Sequence, residues 1–184
     1  MKNLLACGIV LGALVLLPLA SASAAAPGEI TFVAENKVAT ANGTFHSWKV
    51  TKAVINETDP GKSRVEIEVD LASIDTDSER RDKHLRNPDF FDVEKYPTAH
   101  IVIENAKLTG KDAFTVDVTM DLHGVKRTFP VSFRIDDREA RKISAAFTLN
   151  RMDFAIGEPY SMLNPLSIDE EISVKVGATI PPAS

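Results

Sequence analysis

The chain has 184 residues, and its 26 acidic against 21 basic side chains give a formal net charge of −5, with the two signs mixed along the sequence. That mixture argues against nucleic-acid binding, which wants a clustered basic face. The one cysteine, Cys7, excludes a disulfide framework and a thiolate metal site, so stability must come from an apolar core.

The chain opens with Lys2, an apolar run from Leu4 to Leu19, and small residues from Ala20 to Ala26. This is the pattern of a secretory signal peptide. Ala22-Ser23-Ala24 fits the small-x-small cleavage site, so residues 1–24 are expected to be removed and residues 25–184 to form one exported domain, in the periplasm. The apolar run is short for a membrane span of roughly 20 residues, and no second one occurs downstream. "LLAC" at Leu4 to Cys7 is not a lipoprotein box, because the apolar region lies after Cys7. A mature length of about 160 residues suits a single domain with its own core.

Period-two alternation dominates the rest of the chain. Arg64 to Leu71 sets Val65, Ile67, Val69 and Leu71 against Arg64, Glu66, Glu68 and Asp70. Phe114, Val116, Val118, Met120 and Leu122 form a second dry stripe. Phe129, Val131, Phe133 and Ile135 form a third, and Ile143, Ala145, Phe147 and Leu149 a fourth. Ile172, Val174, Val176, Ala178 and Ile180 form the last. One dry and one wet face mark antiparallel strands. Weaker runs at Glu29–Glu35, Thr44–Asn56 and Thr98–Leu108 bring the count to eight. Turn signals at Asp59-Pro60-Gly61, Thr109-Gly110-Lys111 and His123-Gly124 favour antiparallel neighbours. The expected fold is all-β: a single eight-stranded antiparallel barrel, closed so that no edge is exposed, with a two-sheet sandwich as the other economical solution. Taken as one strand of about 12 residues at ~3.3 Å each and tilted ~40°, Thr44–Asn56 makes the barrel roughly 30 Å tall.

One helix interrupts the strands. Thr76-Asp77-Ser78-Glu79 fits a capping box with Thr76 as N-cap, and Pro88 stops the helix. Leu85 is its only large apolar residue, and the chain then delivers Phe90 and Phe91. Leu85 and one or both phenylalanines are expected to point inward across one mouth of the barrel, as a lid or as a plain core plug.

The same segment carries a family resemblance. "VDLASIDTDSERRDKHLRNPDFFDVEKYPTA" (Val69 to Ala99), "VDVTMDLHGVKRTFPVSF" (Val116 to Phe133), "LNRMDFAIG" (Leu149 to Gly157) and "GTFHSW" (Gly43 to Trp48) together resemble the YceI-like family of exported lipid-binding proteins. The resemblance implies a lipocalin-like barrel whose apolar interior holds a polyisoprenoid or isoprenoid quinone. The chain departs from that pattern at its first strand, where "EITFVAENKVATANGTF" lacks the family's two early histidines.

Ligand-contacting candidates come from the stripes and the helical segment. Phe45, Trp48 and Phe154 are included, with Leu85, Phe90 and Phe91 as the lid. Phe114, Val116 and Val118 come from one stripe, Phe129, Val131 and Phe133 from the next, and Phe147 and Leu149 from the fourth. Phe45 and Trp48 have opposite parity on an ideal strand, so a bulge must re-aim one if both face inward. Arg151 to Phe154 reads either as a surface ion pair or as a head-group contact. Sequence alone leaves a lined cavity and a filled core equally open. No catalytic motif, cofactor site or metal-ligand spacing is present: His46, His84, His100 and His123 are scattered. The reading is a binder or carrier of an apolar lipid, with a homodimer left open. A lipid isomerase or cyclase, and a filled-core interaction protein, are the alternatives.

If the leader is read correctly, intact-mass measurement of the periplasmic fraction finds a soluble chain beginning within a few residues of Ala25. Full-length chain recovered with membranes overturns that reading.

Overall fold

A computed structural model describes residues 27–180; the expected leader and cleavage site lie outside the described residues. Ten strands form one antiparallel sheet: β1 (Gly28–Glu35), β2 (Thr40–Phe45), β3 (Trp48–Val54), β4 (Arg64–Asp70), β5 (Ile74–Asp75), β6 (Thr98–Leu108), β7 (Ala113–Leu122), β8 (Val125–Asp137), β9 (Lys142–Asn150) and β10 (Glu171–Thr179). Their order is β3-β4-β6-β7-β8-β9-β10-β1-β2-β5. The sheet curls into a half-barrel, with the single helix α1 (Glu79–Leu85) beside it.

The five alternating stripes all form strands. The count is ten rather than eight because Thr44–Asn56 is not one strand. The chain turns a corner at His46-Ser47, splitting the run between β2 and β3, and β5 adds a two-residue bridge. The height estimate from that run therefore fails on its premise. The thirteen-residue β8 supplies the same height of roughly 30 Å at a barrel tilt.

The corner is also where the curled sheet meets itself. Asp70 N–H donates to Ser47 O at 2.9 Å and His46 N–H to Ser73 O at 3.3 Å. Trp48 Nε1 donates to Gly28 O of β1 at 3.2 Å. The indole is buried against Val69, Leu71 and Ala99, with Ile30 and Ala178 packed on the same cluster. It thus joins β3 and β4, at one end of the strand order, to β10 and β1, which lie near the other. No β2–β3 ladder runs beyond this corner, and there the half-barrel stays open.

Two glycines are required by geometry. His123-Gly124 is a two-residue hairpin turn with φ of 54° and 74°, the double positive φ of a type I′ turn. Gly43 pairs with Phe32, whose ring lies where a Cβ would be.

The helix begins two residues later than the capping-box reading. Ser78 is the N-cap and makes no side-chain cap bond. Thr76 is buried instead: its amide and hydroxyl both reach Asp82 Oδ1, at 2.9 and 2.5 Å, and Arg81 Nε donates to its oxygen at 2.8 Å. Thr76 therefore ties the first turns of the helix down from outside.

Trp48→Ala is expected to destabilise by about 3–5 kcal/mol. Trp48→Phe keeps most of the packing and loses one hydrogen bond, about 1 kcal/mol. Urea unfolding that found both substitutions within about 0.5 kcal/mol of wild type, the ordinary surface range, would remove Trp48 as the closure of the sheet.

Candidate functional site: an apolar cavity inside the half-barrel

Strand register explains why the interior is solid at one end and hollow at the other. Side chains sharing a face line up in rows across paired strands. One row runs Phe45–Ile30–Val176–Ala145–Phe133–Phe114. Aromatic rings occupy its two ends, and smaller residues from β1, β10 and β9 lie between. A second row runs Gly43–Phe32–Val174–Phe147.

Around the first half of β7 and the facing part of β8 the interior is filled, while Met120 and Leu122 of β7 and Ala99 and Ile101 of β6 border a cavity. Val116, Val118 and Val131 form a buried cluster, with Phe129, Phe133 and Phe147 against it. Phe114 stacks on Phe133 with centroids 5.2 Å apart and planes 11° from parallel. Over β1, β9 and β10 the inward residues Ile30, Phe32, Leu149, Ile172, Val174 and Val176 are only half-buried. They wall the same cavity, of ≈ 190 Å³, part of ≈ 1080 Å³ of space that includes its open mouth. No polar atom reaches its surface.

The expected site residues divide between these two regions. Phe45, Leu85, Phe90, Phe91, Phe147, Leu149 and Phe154 border the cavity. Trp48, Phe114, Val116, Val118, Phe129, Val131 and Phe133 do not. Trp48 closes the sheet, and the other six pack the solid end. Phe45 and Trp48 both face inward because the His46-Ser47 corner lies between them, so their parity on an ideal strand does not apply. The sequence reading missed Ile30, Phe32, Val174 and Val176. Their stripe was visible for β10, but only the register shows that it faces Phe147 and Phe32.

The segment after α1 covers one flank. Phe91 meets Phe45 edge-on at 5.9 Å, and Phe90 lies edge-on to His84 at 4.9 Å. Both rings are half-buried and, with Leu85, point into the cavity. Phe90 also packs against Gly157, where a Cβ would come within 3.0 Å of its ring.

Arg151 is buried at the cavity wall rather than paired at the surface. It is 7% exposed, and its guanidinium donates to four backbone carbonyls. Nε reaches Asp169 O at 3.1 Å, Nη1 reaches Ile156 O at 2.7 Å, and Nη2 reaches Glu158 O at 2.7 Å and Ile168 O at 2.8 Å. Burial pushes its pKa below the ordinary value, while Glu170 and Asp169 pull it back up. This buried cation holds both ends of the loop from Gly157 to Ile168 against the cavity wall.

The histidines are dispersed. His123 Nδ1 lies 3.1 Å from Phe154 O, and His100 is on the outer face 3.7 Å from Glu68. His46 meets Asp75 at 3.0 Å beside an open polar depression that Asp77, Glu79 and Arg86 also line. The amide of Asp77 and the His46 ring hold the Asp75 carboxyl below the ordinary carboxylate value. Among the described residues, no group of His, Cys, Asp and Glu is arranged to hold a metal.

The chain matches a family model described as the YceI-like domain over residues 23–180. It is 36% identical over 137 residues to a protein of Pseudomonas putida called UPF0312, a match covering 70% of this chain and 66% of that protein. Among solved structures it is similar to Burkholderia cenocepacia BcnA, with a TM-score of 0.73, 16% identity, and coverage of 82% of this chain and 94% of the other. It is also similar to a polyisoprenoid-binding domain from Saccharophagus degradans implicated in plant cell wall breakdown. There the TM-score is 0.62, with 18% identity, 84% of this chain and 93% of the other. At these identities the two structures establish a shared fold.

The two regions should respond oppositely to added volume. Val118→Trp overpacks the solid end and should destabilise by about 1–3 kcal/mol. Val174→Trp points into the cavity and should leave the delipidated protein within about 0.5 kcal/mol of wild type, the ordinary range for a substitution without overpacking. Thermal melts of both variants check this, and equal destabilisation would mean that the cavity is not real space.

Proposed function

This chain belongs to the YceI-like domain family, and on that premise we propose that its half-barrel holds one long apolar lipid, such as a polyisoprenoid or isoprenoid quinone, and carries or sequesters it in the periplasm. The observation that carries the reading is the cavity: an apolar surface without a polar atom, walled by side chains that the fold leaves half-buried. Burying about 10 methylenes at ~0.8 kcal/mol each supplies about 8 kcal/mol before ordering costs. Useful affinity therefore needs no specific polar contact. The similar Saccharophagus degradans domain is described as polyisoprenoid-binding, which supports the same ligand class here.

Binding is favoured over catalysis on chemical grounds. An isomerase or cyclase needs a titratable group facing the substrate. The one charged residue along this wall is Arg151, and its donors are engaged by carbonyls. The leader in the sequence supports export, and the periplasm is the matching compartment.

Native mass spectrometry of protein purified without detergent should show an added mass in the lipid range, and ubiquinone should bind to the delipidated protein. A bare chain that also fails to take up ubiquinone would overturn the reading. With ligand bound, replacing Phe90 and Phe91 together by Ala should speed its release more than it lowers global stability. If either single change instead costs the ~3–5 kcal/mol of a core Phe→Ala with exchange unchanged, the segment is a plug and not a lid.

A further inference from the structure

The three most exposed large apolar side chains of the described residues share one loop, while Leu108 at the end of β6 and Val54 at the end of β3 are exposed elsewhere. Met162 is 79% exposed, Leu163 96% and Leu166 66%, all in the loop between Gly157 and Ile168, and Val38 in the β1–β2 turn is 64% exposed. The two loops touch: Lys37 Nζ donates to Met162 O at 3.2 Å and stands 5.7 Å over the Tyr160 ring. Asp169 N–H also donates to Glu35 O at 2.8 Å. They form one apolar tip beside the cavity, since Ile168, Arg151, Ile156 and Ala34 at its base are cavity wall.

The loop is built. Tyr160 N–H donates to Glu170 Oε1 and Ser161 N–H to Ser167 Oγ. Asn164 N–H reaches Ser161 O, Ser167 N–H reaches Asn164 O, and Leu166 N–H reaches Asn164 Oδ1. Pro159 and Pro165 have no N–H to satisfy. Five of its ten amides, those of Tyr160, Ser161, Asn164, Leu166 and Ser167, are thus bonded within the protein, and this removes part of the cost of entering a medium that cannot hydrogen-bond. Met and Leu at the end, with Tyr and Lys behind them, is the order of groups found at a lipid–water interface.

The charge around the tip selects the kind of surface. Lys37 stands among the acidic residues Glu35, Glu158, Asp169 and Glu170, so the rim is net negative. That rim disfavours a strongly anionic membrane, while Lys37 can meet a single lipid phosphate. The geometry points to a docking surface for a zwitterionic bilayer: Met162, Leu163, Leu166 and Val38 insert among the acyl chains and set the cavity against the membrane from which its ligand leaves or to which it returns. This inference rests on the lipid-binding reading.

Flotation of the purified full chain with phosphatidylcholine vesicles tests it, together with the variant carrying Met162→Ser and Leu163→Ser. Both positions are exposed, so the fold should tolerate the changes. The wild type should float, with little weakening at high salt, and the variant should partition at least about tenfold less, the scale of losing two buried apolar side chains. Ubiquinone uptake from vesicles should slow in the variant, while uptake from detergent micelles stays at the wild-type level. A wild type that does not float, or a variant that floats as well, overturns the docking surface. So does a concentration-dependent dimer that the variant abolishes without any flotation, because a second copy would then be the occupant. Failure of the wild type to take up ubiquinone even from micelles would instead sink the lipid-binding reading, and flotation would still decide the docking surface.

Discussion

The fold depends on how a curled antiparallel sheet meets itself. A barrel removes its edges by pairing the first strand with the last. Here that closure is confined to the corner at His46-Ser47, where Trp48 joins one end of the strand order to β1, near the other, through the Gly28 carbonyl, and packs on Val69, Leu71 and Ala99. Beyond the corner, β3 and β2 have no common ladder. Val69, Leu71 and Ala99, which pack on Trp48, also wall the cavity, so this closure bounds the hollow part of the interior.

Side-chain volume decides which part of the interior is hollow. The first half of β7 and the facing part of β8 bring phenylalanines and valines that interlock, and that region packs solid. Inward positions of β1 and β10 carry mostly Ile and Val. Residues of that size do not reach across the curl, so a space remains that Leu85, Phe90 and Phe91 cover on one flank. The apolar wall and half-burial of its residues are two aspects of one packing deficit.

Polar groups near this space are used for positioning. Arg151 is the clearest case: a buried guanidinium that binds carbonyls on both ends of one loop makes a rigid frame at the cavity's rim. Asp82 and Thr76 do the same for α1. Both devices lie at the ends of covering segments, where the sheet supplies no ladder to hold the chain.

The sequence by itself determined the strands, because alternation with period two is a local property of each segment: Arg64–Leu71, Phe114–Leu122 and Ile143–Leu149 each carry the pattern complete. It also placed the helix between Thr76 and Pro88, put Phe90 and Phe91 at the interior, and carried the family resemblance in its motifs. It could not place the corner at His46-Ser47, since Phe45 and Trp48 read as members of one strand until the sheet curls. Nor could it separate Val118, in the solid end, from Val174, in the cavity wall. Both are valines on dry stripes, and what differs is the size of the residues across the interior. That depends on register between strands distant in the chain, as do the four carbonyls around Arg151, so only the tertiary structure could decide them.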